Sequence, residues 1–276
     1  MAEAGSWDQL VRRVDFDRYL SSLFVPAALR RDLNVLYAFN HEVAKTAETV
    51  SQPIAGQIRL QWWRDQIAEA HRGVAVEHPV VEALSGVITA RGLPIDLFDG
   101  LIEAREHDFE EAPFATVEDF EAYADATSGH VMRLAARILG AGDTLDASAR
   151  DLGIAYAIAG LCRALPYHAR QRRLMLPADR LNTAGVSVEE VFAGTAGQRL
   201  RPLLDGMAQR ALDHLAEQRR QRIARSVLPA LLPAAVAPPY LRALMRPGFD
   251  VFHDAIEVGV HRRQLAMLGA MIRRRI

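Results

Sequence analysis

Apolar residues return every three or four positions along almost the whole of this 276-residue chain. Nowhere do two alternating β-branched runs meet at an Asn-Gly or Asp-Gly turn. The period predicts an all-α protein with helices over 15–24, 26–48, 53–72, 78–91, 94–109, 117–139, 145–165, 187–193, 197–225, 238–246 and 250–272. The punctuation agrees with these divisions. Pro26, Pro53 and Pro94 stand at first turns, where a missing N–H removes no helical bond, and Gly73, Gly92 and Gly140 follow helix ends. Thr116 precedes Asp119 by three residues, a capping-box pattern. The stretch SVLPALLPAAVAPPYL at 226–241 is too apolar for a solvated tether, so its leucines are expected to pack over the core. Without a Ser/Gly/Pro linker or a fixed-period repeat, residues 1–276 read as one domain.

Composition narrows the function classes. A formal charge of −1 gives none of the basic footprint of a groove binder, so no nucleic-acid partner is expected. Cys162 is the only cysteine, which excludes an internal disulfide and a cysteine metal site; it reads as a buried small hydrophobe in a cytoplasmic protein. The first residues lack a basic patch followed by an apolar segment. No apolar run approaches the ~20 residues that span a bilayer, so any membrane contact is peripheral, at the inner membrane. The basic clusters RRQRIAR at 219–225 and IRRRI at the end read as solvated helix faces, although such arginines also suit anionic lipid headgroups.

Several stretches, in order, resemble the squalene/phytoene synthase family across nearly the whole chain: DFDRYLSSLFVPAALRRDLNVLYAFNHEVA, HPVVEAL, LPIDLFDGLIEAREHDF, FEAYADATSG and CRALPYHARQRRLMLP. The resemblance implies an isoprenoid-synthase-type helical bundle around a central cavity, and enzymes that condense two prenyl diphosphates head to head. Such chemistry needs Mg²⁺ on carboxylate oxygens to neutralise the departing diphosphate. The family's first motif, Asp-Asp-x-x-Asp, falls on Ala44, Lys45, Thr46, Ala47 and Glu48, where only Glu48 is acidic. Its second, Asp-x-x-x-Asp after Arg163, places Ala164 and His168 at the ligand positions. Lys45 sets a cation where Mg²⁺ would need a carboxylate. The resemblance therefore implies no metal and no cofactor, with Mg²⁺ entering only if the chain is a divergent prenyl-diphosphate transferase using Glu48, Asp108 and nearby cations. Lys45, Arg163, Tyr167, Arg170 and Arg173 are the candidate substrate-binding residues, able to hold a diphosphate as fixed cations.

A narrower similarity, in AFNHEVAKTAETVSQPIAGQIRLQWWRDQI and YLRALMRPGFDVF, points to the branch of the family that contains a mitochondrial respiratory complex I assembly factor. It implies a non-catalytic scaffolding protein whose partners are complex I subunits or assembly intermediates, with a lipid or isoprenoid as a further ligand of its cavity.

Other residues carry plainer expectations. Of Trp62 and Trp63, one should face the core and the other its margin. Arg59 and Arg64 should pair with Asp65 or Glu69 along their own helix. His41, His130 and His168 are too scattered for a zinc site, which needs three or four convergent ligands. EAREHDF at 103–109 reads as a solvated helix end. Tyr123, Thr127, Ser128 and Gly129 mark a place where small residues let helices approach or bend.

Overall fold

The computed structural model describes residues 5–50 and 52–276, and among them every regular element is helical. The order is α1 (Gly5–Val14), α2 (Phe16–Ser22), α3 (Ala27–Ala44), α4 (Thr46–Thr49), α5 (Pro53–His71), α6 (Pro79–Arg91), α7 (Ile95–Ala104), α8 (Val117–Ala124), α9 (His130–Ile138) and α10 (Asp146–Arg170). There follow α11 (Ala178–Ala184), α12 (Val188–Phe192), α13 (Arg201–Gln218), α14 (Leu228–Leu231), α15 (Ala237–Leu244) and α16 (Val260–Arg273).

The signals read from sequence act as expected at many ends. Pro53 occupies the first turn of α5, and Gly73, Gly92 and Gly140 have positive φ just past helix ends. Thr116 and Asp119 close the capping box that starts α8. Leu228, Leu231 and Leu232 of the proline-rich stretch are fully buried, carried on α14 and the 3₁₀ turn Leu232–Val236 that follows it.

Four expectations are corrected. The helix expected over 26–48 stops at Ala44, and Glu48 rides on the separate short turn α4. The helix expected from residue 250 begins at Val260; before it, the Asp250 carboxylate accepts from the Phe252 amide and the Asp254 carboxylate from the Asp250 amide, so local turns capture the backbone. The basic run 219–225 lies in a loop beyond α13, held where the Ile223 amide donates to the Arg274 carbonyl. α10 does not end at 165 but runs through Pro166, which removes a single helical donor, to Arg170. Three helices lie outside the expected set, α1, α11 and the short α14. α1 is anchored by buried Trp7 and Val11, one turn apart.

Two apolar clusters form the core. One gathers Leu33 to Phe39 of α3 with Trp63, Leu84, Phe98 and the Val131 and Leu134 face of α9. The other surrounds α10 with α13, α15 and Met267 and Ala270 of α16, and takes Met132 from the opposite face of α9. Between α8 and α9 the backbone widens into a π-helical turn, Asp125–Gly129, with the Thr127 hydroxyl donating 2.7 Å to the Tyr123 carbonyl. That turn lies against α10 so closely that a Cβ on Gly153 would come within 2.5 Å of Gly129 Cα. The small residues of this stretch thus serve both close approach and a local change of helical pitch. A polar layer lies between the two clusters, and it contains the cavity.

Candidate functional site

The first altered motif sits where α3 gives way to α4. Lys45 is not a free cation: its Nζ donates 2.6 Å to Glu42 Oε1, one turn back on α3. Ala44 is half-buried and offers no side-chain oxygen. Glu48 is exposed and accepts a 2.9 Å hydrogen bond from the Tyr167 hydroxyl of α10. The two altered motifs therefore meet directly. Arg173 reinforces the junction by donating to the Ala47 carbonyl.

On the α10 side, Ala164 is half-buried and Arg163 stacks its guanidinium 4.5 Å over the Tyr240 ring. Arg170 is exposed and points to no partner among the described residues. His168 is mostly buried, and burial pulls its pKa below the ordinary histidine value, so it is neutral at pH 7. Its Nδ1 is enclosed without a hydrogen-bond partner among the described residues. Of the five substrate-binding candidates, Tyr167 and Arg173 are thus committed to contacts across the mouth and Lys45 to Glu42. Among the described residues Arg163 and Arg170 form no ion pair with a carboxylate.

Beneath this mouth is a cavity of about 240 Å³, smaller than the roughly 300–1,000 Å³ of ordinary small-molecule pockets. Polar and apolar groups share its walls, with Arg18, Asn40, Arg105, Tyr156, Arg163 and His168 beside Ala157, Ala159 and Leu161. Arg18 is buried, donates 2.8 Å to Asp15, and lies 5.6 Å and 5.3 Å from the ring centres of Tyr37 and Tyr156. Asp17 pairs with Arg263 of α16 at 2.9 Å. Asn40 Oδ1 is buried without a partner among the described residues.

Sequence reading mistook the EAREHDF segment. Its last five residues, Arg105–Phe109, tighten into a 3₁₀ turn that drives Asp108 inward, where it is 6 % exposed. Tyr123 donates 2.6 Å to Asp108 Oδ1, while Arg105 donates 2.9 Å to the Tyr123 hydroxyl and 3.3 Å to Asp108 Oδ2. Burial raises the Tyr123 pKa far above the usual phenol range, so it stays a neutral donor. The signal for this triad was present: Arg105 and Asp108 stand three apart, on one helix face. Arg18 lay unremarked in the DFDRYL stretch.

The donor set that Mg²⁺ needs is not assembled by these residues. Alanine stands at two ligand positions, lysine at a third and a neutral histidine at a fourth, and both oxygens of Asp108 are already engaged. Among the described residues no three His, Cys, Asp or Glu side chains converge on a point where a metal would sit. His41 is half-buried at the end of α3, while His130 Nδ1 lies 2.9 Å from the Leu97 carbonyl in another part of the fold.

The aromatic and arginine expectations divide. Trp63 is buried and Trp62 lies at the core margin, as the pattern implied. Arg64 reaches Glu106 at 2.9 Å rather than a residue of its own helix, and Arg59 stacks 4.0 Å over Trp62. Cys162 is 1 % exposed, and burial pushes its thiol up to about 12. No helix among the described residues is long and apolar enough to cross a membrane.

Comparison with known proteins gives four findings. The squalene/phytoene synthase family model matches residues 11–264. The NADH dehydrogenase (ubiquinone) complex I assembly factor 6 of Rattus norvegicus is 29% identical over 252 residues, spanning 90% of this chain and 76% of its own. The 15-cis-phytoene synthase of Synechococcus elongatus is 24% identical over 285 residues, 96% of this chain and 91% of that one. Among solved structures, a dehydrosqualene synthase in complex with ligand superposes with a TM-score of 0.85 at 18% identity, covering 98% of this chain and 95% of that chain. That last likeness speaks to the fold: an isoprenoid-synthase-type bundle.

Proposed function

The chain belongs to the squalene/phytoene synthase family, and from that premise we propose that it is a non-catalytic member acting as an assembly or scaffolding factor for respiratory complex I. One observation carries the non-catalytic part. The segments that should hold metal ions apart across a cavity mouth bind each other instead, through Tyr167 to Glu48 and Arg173 to Ala47. No cofactor enters this reading. The complex I part is supported by 29% identity across 90% of the chain to a protein named as a complex I assembly factor.

The competing reading, a divergent prenyl-diphosphate transferase, needs Glu48 and Asp108 as free metal ligands. Both already accept hydrogen bonds from protein groups. It also needs room for prenyl chains, whereas the cavity is about 240 Å³. A small ligand suits that space better than a pair of prenyl chains. The protein then works from the cytoplasm in peripheral contact with the inner membrane.

Two measurements test the proposal. Purified protein incubated with farnesyl or geranylgeranyl diphosphate and Mg²⁺ releases no pyrophosphate; turnover would end the non-catalytic reading. Deleting the gene lowers assembled complex I on native gels, and normal complex I content in the deletion strain would remove the assembly role.

A further inference from the structure

α16 turns two different faces outward. It buries Met267, Ala270 and Met271 against the core, as an amphipathic helix should, yet Leu265, Leu268 and Ile272 form a second apolar stripe at i, i+3 and i+7 that is 67 %, 47 % and 71 % exposed. Leu23 and Phe24, just past α2, extend this stripe across an open groove of about 500 Å³. Such a run of solvent-facing aliphatic and aromatic side chains is uncommon unless something covers it.

The other flank of the same helix is strongly cationic. A groove of about 1130 Å³ between α13, α15 and α16 is lined by Arg219, Arg242, Arg246, Arg262, Arg273 and Arg275, against a single carboxylate, Glu257. Five of these arginines make no ion pair among the described residues, and Arg246 reaches Asp254 only at 4.0 Å. This concentration stands out in a chain of formal charge −1. Leu265 lines both grooves, so the apolar stripe and the arginine bank adjoin along one helix of about 21 Å.

We propose that this face of α16 docks on an anionic phospholipid bilayer, with Leu23, Phe24, Leu265, Leu268 and Ile272 entering the acyl boundary and the arginine bank holding phosphate headgroups. Charge complementarity and the paired apolar stripe together select this occupant. A nucleic acid or an acidic peptide would satisfy the arginines and leave the leucines in water. A second copy in a two-fold dimer would press like arginine banks toward each other. Because no described helix can span the membrane, contact of this kind is interfacial. The inference gives the peripheral contact its surface and lipid class, and it stands on residues remote from the Glu48–Tyr167 mouth.

The test is co-sedimentation of the full chain with vesicles of phosphatidylcholine alone and of phosphatidylcholine mixed with phosphatidylglycerol. Binding to the mixed vesicles should be at least about tenfold tighter and should weaken as salt is raised. Two exposed sets are replaced separately: Leu265→Ser with Leu268→Ser and Ile272→Ser, and Arg262→Gln with Arg273→Gln and Arg275→Gln. Each should lower partitioning at least about tenfold with circular dichroism unchanged, and the arginine set decides the matter even where the leucine set loses its fold. Equal binding to both vesicle types, or arginine replacements without effect, would overturn the proposal. So would capture of polyglutamate with no vesicle binding, which would assign the groove to an acidic protein. Absence of vesicle binding by the unaltered chain, beside intact dependence of complex I on the gene, would sink this inference alone, and the converse would sink only the assembly role.

Discussion

Tyr167 donates a 2.9 Å hydrogen bond to Glu48 across 119 residues of sequence, and in doing so joins the two altered motif segments directly. The bond is exposed, so it contributes little to global stability: Tyr167→Phe should cost less than about 1 kcal/mol. Its effect is local. Amide exchange at residues 45–50 should quicken in Tyr167→Phe and quicken further when Arg173→Ala is added. Unchanged exchange in the double variant would show that the mouth is held by something else.

Asp108, Tyr123 and Arg105 form a buried triad rather than a pair of solvated charges. Asp108→Ala leaves the Arg105 guanidinium buried without its counter-ion, which should cost about 3–5 kcal/mol in denaturant unfolding. Replacing both charges at once, with Arg105→Met and Asp108→Leu, should cost clearly less than that single change. A double variant as unstable as Asp108→Ala would argue that burial of the unpaired guanidinium is not the cause.

Gly153 and Gly160 lie two turns apart on α10 and should respond in opposite directions. A Cβ at 153 meets the Gly129 backbone at 2.5 Å, which cannot yield like a side chain, so Gly153→Ala should cost about 1–3 kcal/mol or more. Nothing lies within 4 Å of a Cβ at 160, so Gly160→Ala should be neutral or gain up to about 1 kcal/mol from helix propensity. Thermal melts of the two variants check the contrast.

His214 on α13 bridges two neighbouring helices. Its Nδ1 lies 3.4 Å from Asp151 of α10 and its Nε2 3.6 Å from Glu121 of α8. The facing carboxylates of Asp151 and Glu121 raise it to about 9, against the opposing effect of burial. Burial works against ionised Glu121 too, but bonds from Arg210 and His214 hold it down at about 2. A histidine raised on folding stabilises fully below its unfolded pKa near 6.5, and that contribution drains away as pH rises through about 9. Chemical unfolding should therefore show stability falling between pH 7 and 10, and His214→Asn should flatten that fall while costing on the order of 2 kcal/mol at pH 7.

Much of this arrangement was legible before any coordinates. Local rules read correctly where local forces decide: the Thr116 capping box, the glycines after α5, α6 and α9, and the buried leucines of the proline-rich stretch. The motif frame located the mouth as well, since Glu48 and Tyr167 came from segments singled out by sequence alone. What escaped was set by tertiary partners. The 250–259 stretch has helical periodicity, but Asp250 and Asp254 satisfy its backbone in turns. Arg105 and Asp108 resemble any surface pair until a 3₁₀ turn and Tyr123 draw them inside. Arg64 finds Glu106 across 42 residues, which no spacing rule along one helix can anticipate.

The polar layer between the two apolar clusters has a mechanical consequence. A cavity walled by aliphatic side chains can swell when a guest arrives, losing only scattered dispersion contacts. Here Arg18 grips Asp15, Arg105 grips Asp108, and Asp17 is clasped by Arg263 from the last helix. Enlarging the space means prising apart buried ions, at several kcal/mol for each one stranded. The chamber is framed like a vault tied on three sides by charge, and those sides resist widening more than aliphatic walls would.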